Sequence, residues 1–170
     1  MDEYLDDNKS TQEERPQMLL VLCVLSWVYI GFSLITNIMA LLRGPISVER
    51  MDEAKADMLG LIKEAQSAGM DSIADLFSKL QHMTEVYNAH HYAFYSIIIS
   101  IFAIGLYGVI QMFLGKRLGF HIYIGYCILS AIHVYFFLTP AEIPSIITIF
   151  GISISVLFIY LYSRNLNWMK

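Results

Sequence analysis

Four stretches of this chain contain no Lys, Arg, Asp or Glu: residues 18–42, 93–114, 118–141 and 143–163. A run of about 18 or more such apolar residues reads as a membrane span, because about 20 helical residues cross the hydrocarbon core. The remainder of the chain is too small to bury four helices of this kind in a soluble bundle. The overall composition agrees, at 56% hydrophobic and 15% charged. A soluble domain is typically about 45–50% apolar and about 25% charged. The expected fold is all-α, a four-helix transmembrane bundle with an extracytoplasmic α-helical hairpin between the first two spans.

The first span is read at 18–42. Pro16 precedes it, where a helix start tolerates proline, and Arg43, Gly44 and Pro45 end it. It is not a signal peptide, because the residues before it are acidic (Asp2, Glu3, Asp6, Asp7, Glu13, Glu14) and the apolar run is too long. Residues 1–17 read as a disordered acidic tail. The two cysteines, Cys23 and Cys127, both fall within spans and read as small packing residues.

Residues 43–92 are polar but patterned. Met51, Ala54, Met58, Leu61, Ile62 and Ala65 repeat at helical spacing, and so do Ile73, Leu76, Phe77, Leu80, Met83 and Tyr87. Ser47 fits one N-cap, Gly69 a C-terminus and Asp71 the next N-cap. The segment is therefore a helical hairpin turning at residues 68–70. No Gly or Pro separates Asp71 from Ile104, so the second hairpin helix is expected to run without a break into the second span. A helix over 71–114 would be about 66 Å long. The alternative, two helices lying flat on lipid, is disfavoured because the polar faces carry no basic excess.

The second span is read at 93–114, the third at 120–138 and the fourth at 145–162, with a tail at 163–170. Alternating crossings put Lys9, Arg15, Lys116, Arg117, Arg164 and Lys170 on one side. The hairpin's acids outnumber its bases, and the turn before the fourth span holds Glu142 alone. The basic side should be cytoplasmic, an N-in, C-in orientation.

Each span has a polar or small stripe: Ser26, Ser33 and Asn37; Ser96, Ser100, Ala103, Tyr107 and Gln111; Tyr123, Tyr126, Ser130 and His133; Thr148, Gly151, Ser155 and Tyr162. These stripes are expected to face inward, since unsatisfied polar groups are costly against lipid. Their first reading is helix packing, because small residues permit close approach and hydroxyls bond across helices. The functional alternative is a polar path or ligand cavity lined by Asn37, Ser96, Ser100, Tyr107, Gln111, Tyr126, Ser130 and Ser155. No charged residue lies within a span, which counts against an ion or proton pump.

The histidines are the sharpest chemical feature. His90 and His91 open the second span and His133 lies near the end of the third. With Glu85 and Glu142 they would share one level at the outer interface. Neutral imidazole ligates metals and haem, so His90, His91, His133, Glu85 and Glu142 form a candidate metal set. His91 and His133 form a candidate haem or quinone pair. His82 and Glu85 share a helix face. Interfacial packing of amphipathic histidines is the simpler reading. No CxxCH, HExxH or CxxC motif is present.

The opening of the first span, Arg15-Pro16-Gln17-Met18-Leu19-Leu20-Val21-Leu22-Cys23-Val24-Leu25-Ser26, resembles the start of small uncharacterised multi-span proteins of Bacteroidota. That resemblance implies a bacterial inner membrane and no residue roles. The functional expectation is a non-enzymatic subunit or interaction protein of a membrane complex. It would have no resident cofactor, the bilayer and a membrane complex or second copy as partners, and no nucleic acid. A small transporter or lipid-handling protein is the second reading, and a redox or metal protein the third.

Overall fold

The computed structural model describes residues 16–170; the expectation for the acidic tail falls almost wholly outside them. Six α-helices follow in order: α1 Gln17–Arg43, α2 Val48–Ser67, α3 Asp71–Ala89, α4 His91–Phe113, α5 Arg117–Ile132 and α6 Ser145–Ser163. A 3-10 turn, His133–Phe136, extends α5. Helix α1, helix α4, α5 with its extension, and α6 are each long and apolar enough to cross a membrane. The all-α bundle with a helical hairpin is thus present.

Helix α4 is the centre of the bundle and packs on α1 and α5. The α4–α5 seam is close because glycines line it. A Cβ on Gly119 would lie 2.4 Å from the Met112 nitrogen and 2.6 Å from the Gly108 oxygen. Around this seam Leu19, Cys23, Ile30, Val109, Met112, Tyr126 and Cys127 form the buried core. Tyr162 brings the end of α6 to the core, where its hydroxyl lies 2.9 Å from Ser26 Oγ. The rest of α6 is surface: Tyr162 is the one buried residue of this helix, whereas α1, α4 and α5 each bury five or more. Its exposed Ile, Phe and Leu side chains suit lipid, which is as apolar as they are.

The turns at Gly69 and Gly115 share one construction. Each glycine has positive φ, and the next residue's N–H reaches back to close the helix end (Met70 to Ala65, Lys116 to Gln111). The helix caps are less regular than the sequence predicts: Ser47 makes no side-chain cap bond, and Asp71 is the first residue of α3 instead of its cap.

Two further differences from expectation matter. The predicted 71–114 helix is broken at His90, which has φ −105° and ψ 27°. No local breaker causes this. The break lies among contacts made on either side of it: Asn88 binds Ile46, Tyr87 stacks on Phe94 at 4.0 Å, and His90 sits against Phe137. Second, residues 164–170 are not a free tail. Lys170 N–H donates to the Gly115 oxygen at 2.7 Å, Arg117 Nε donates to the Met169 oxygen at 2.7 Å, and Met169 is fully buried. This strap ties α6 to the α4–α5 turn.

Candidate functional site

The polar stripes are sorted by the structure into two kinds. Tyr126 and Gln111 are buried, and Asn37, Ser130 and Ser155 are partly so. Ser96, Ser100 and Tyr107 instead lie on the exposed face of α4, contrary to the inward expectation. Ser100 Oγ donates to the Ser96 oxygen at 2.8 Å. A hydroxyl satisfied by its own helix has no need of the interior. Asn37 and Ser155 likewise donate to the carbonyls of Ser33 and Gly151. The eight residues therefore do not line one path.

The five candidate metal ligands are also dispersed. Glu85 pairs with Lys55 at 3.5 Å and accepts from Gln81. Glu142 accepts from Thr139 N–H and Oγ1 at 2.7 and 2.8 Å, and meets His82 at 3.1 Å. The Thr139 bonds, with His82 adding to them, hold the Glu142 carboxyl below its ordinary range. His133 Nδ1 is 2.7 Å from the Ser130 oxygen, and its ring faces Phe94. His90 is exposed beside Phe137. Among the described residues no three His, Cys, Asp or Glu side chains are grouped to hold a metal ion. Each carboxylate is already engaged by its own loop or by the hairpin, so the expected convergence does not form. Of the proposed cofactor pair, His91 sits among Tyr92 and Tyr95, and His133 lies beside Phe94, whose ring meets Tyr95.

His91 is the exception that draws attention. It is 7% exposed, and its Nε2 is buried with no hydrogen-bond partner among the described residues. Native structures rarely leave such an atom unpaired. His91 lines an open cleft of about 850 Å³ where the end of α1, the start of α2 and the α3–α4 junction meet. The cleft's other polar walls include Arg43, Ser47, Arg50, Tyr87 and Tyr95. Asn88 holds its rim, accepting from Ile46 N–H at 2.7 Å and donating to the Ile46 oxygen at 3.2 Å. Burial pushes the Tyr87 hydroxyl pKa up, keeping it a neutral donor.

Sequence reasoning singled out His91 but not this cleft. A signal was available: Thr84, Tyr87, Asn88, His91 and Tyr95 all line it and fall on one helix face by their spacing. A smaller crevice of about 180 Å³ lies between α5 and α6, with Ser130, His133, Thr148 and Ser155 in its wall. No family model matches the chain, and no curated protein or solved structure matches it either.

Proposed function

We propose that this protein is a membrane-anchored interaction subunit that presents the α2–α3 hairpin to another protein of a membrane complex. The observation that carries the reading is the hairpin's surface. Its two helices pack mainly on one another and bury Met51, Ala65 and Ala74, while Met83 is buried against Leu138 and Ile143 of the bundle. Yet Leu59, Leu61, Met70 and Ile73 remain 40% to 47% exposed on an element that belongs to none of the four spans. Leu61 and Ile73 belong to the stripes expected to pack inward. Large apolar side chains left in water outside a bilayer favour a protein partner. The side holding Lys116, Arg117, Arg164 and Lys170 is assigned to the cytoplasm, so the hairpin faces outward. The bacterial inner membrane is the assigned location, supported by the opening of α1.

The test is co-purification in mild detergent. A stoichiometric companion should accompany the wild-type chain. It should be lost when Leu59, Leu61, Met70 and Ile73 are all changed to Gln, and when residues 47–84 are deleted, with membrane insertion kept. A companion retained by the four-Gln variant would refute the hairpin as the interface. A chain that purifies alone from every mild detergent would count against a subunit role.

A further inference from the structure

The cleft around His91 calls for an occupant that none of the preceding assignments supplies. We infer that it binds the phosphate headgroup of an anionic phospholipid, with Arg43 and Arg50 holding the phosphate and His91 contacting it from the inner wall. Four observations converge on this reading, and none depends on what the hairpin binds.

The first is position. Helix α1 ends at Arg43 and α4 begins at His91, so the cleft sits where two candidate spans emerge from the bilayer. Ala40 and Tyr95 continue its wall into the two spans. The second is charge. Arg43 and Arg50 have no ion-pair partner among the described residues. With Glu49 also in the wall, the three leave one positive charge in excess. That balances a phosphodiester monoanion, and guanidinium suits phosphate oxygens geometrically.

The third is the N-terminus of α2. Its cap residue Ser47 lines the cleft with a side chain that makes no cap bond. The free N–H groups at a helix start favour an anion. The fourth is His91 itself, more than nine-tenths buried with Nε2 unpartnered. Nε2 lies just beneath the cleft's surface, so a headgroup oxygen satisfies it once the wall over it has moved aside. The volume, about 850 Å³, falls in the range of about 300–1,000 Å³ typical of small-molecule sites.

A free phosphate ion shares this chemistry, so the experiment separates the two sources. The full chain in dodecyl maltoside is titrated with dioleoyl phosphatidylglycerol and read by native mass spectrometry. Dioleoyl phosphatidylcholine and inorganic phosphate serve as comparisons. One phosphatidylglycerol should be retained per chain in preference to phosphatidylcholine, and millimolar inorganic phosphate should not displace it. Arg43→Gln and Arg50→Gln should each weaken retention about tenfold, while Lys63→Gln leaves it unchanged.

Both arginines are exposed, so these variants should fold as the wild type does. In the wild-type chain, the ring nitrogen resonance of His91 should shift when phosphatidylglycerol is added. Equal retention by the double Gln variant, equal retention of phosphatidylcholine, or a static His91 resonance would overturn the proposal. Displacement by inorganic phosphate would assign the cleft to a soluble anion and overturn the lipid assignment.

Discussion

Replacing Gly119 by Ala tests the bundle's central contact. The added Cβ would lie 2.4 Å from the Met112 nitrogen, 2.6 Å from the Gly108 oxygen and 2.8 Å from the Gln111 carbonyl carbon. Ordinary contact begins at 3.4 Å, so α4 and α5 must separate by about 1 Å. All three obstructing atoms are backbone, and no rotamer change can remove them. Overpacking a well-filled contact costs about 1–3 kcal/mol, and a backbone obstacle puts this case in the upper part of that range. Lipid restores nothing, because apolar tails do not drive helices together and the lost dispersion contacts stay lost. Gly125→Ala is the matched control: it lies on the same helix and its Cβ would meet nothing within 4 Å. Gly119 lies in the first turn of α5 and Gly125 in its interior, so propensity favours Ala more at Gly125 by a few tenths of a kcal/mol, which is small beside the clash. Unfolding in mixed micelles can be followed by tryptophan fluorescence, since Trp27 lies 4.8 Å from Phe113 and Trp168 borders Gly115. A Gly119→Ala midpoint equivalent to within about 0.5 kcal/mol of Gly125→Ala would refute the seam.

Tyr162→Phe should cost about 0.5–1.5 kcal/mol by removing the bond to Ser26, and a double-mutant cycle with Ser26→Ala should recover most of it as coupling. Asn88→Ala breaks both bonds to Ile46 and should cost about 1–3 kcal/mol, with hydrogen exchange at the Ile46 N–H accelerating. The turn around Glu142 should depend on pH. Its carboxyl is held low in the folded chain by Thr139, so its stabilisation is complete above the ordinary carboxylate range. It is lost as pH falls through the depressed folded value. Thermal midpoints compared between about pH 7 and about pH 3 should fall less in Glu142→Gln than in the wild type.

The spans and the hairpin were legible because uncharged length and helical periodicity are properties of the chain alone. What the sequence did not show depends on partners distant in the chain. The break at His90 has no glycine or proline to announce it, and the contacts around it reach Ile46 and Phe137. The strap at 164–170 depends on Gly115 and Arg117, which are close only after α4, α5 and α6 have packed. The inward face of α4 was misread because hydroxyls were taken as the mark of an interior. Ser100 satisfies that polarity locally, on the Ser96 carbonyl, while the true seam is marked by Gly105 and Gly108 at helical spacing. The metal cluster failed for a different reason. Residues placed at one height by counting turns can still be engaged by different neighbours, as Glu85 is by Lys55 and Glu142 by Thr139.

The break at His90 does not destroy the helical phase of the chain. His90 N–H still reaches the Val86 oxygen at 3.0 Å, and Phe94 N–H still reaches the His90 oxygen at 2.9 Å. One face therefore continues across the junction, from Thr84 and Asn88 on α3 to His91 and Tyr95 on α4, and that face is the cleft wall. The opposite wall is the end of α1 and the start of α2. Asn88 holds the two walls together, while His82–Glu142 and the Met83, Leu138 and Ile143 cluster tie α3 to the far turn of the bundle. An occupant touching Arg43, Arg50 and His91 would bridge α1 and α4 of the bundle to hairpin helix α2. By linkage, a ligand that favours this docked arrangement stabilises it by its differential affinity alone. Lipid at the cleft and a partner at the hairpin would then be coupled through the junction that Asn88 and Ile46 hold together.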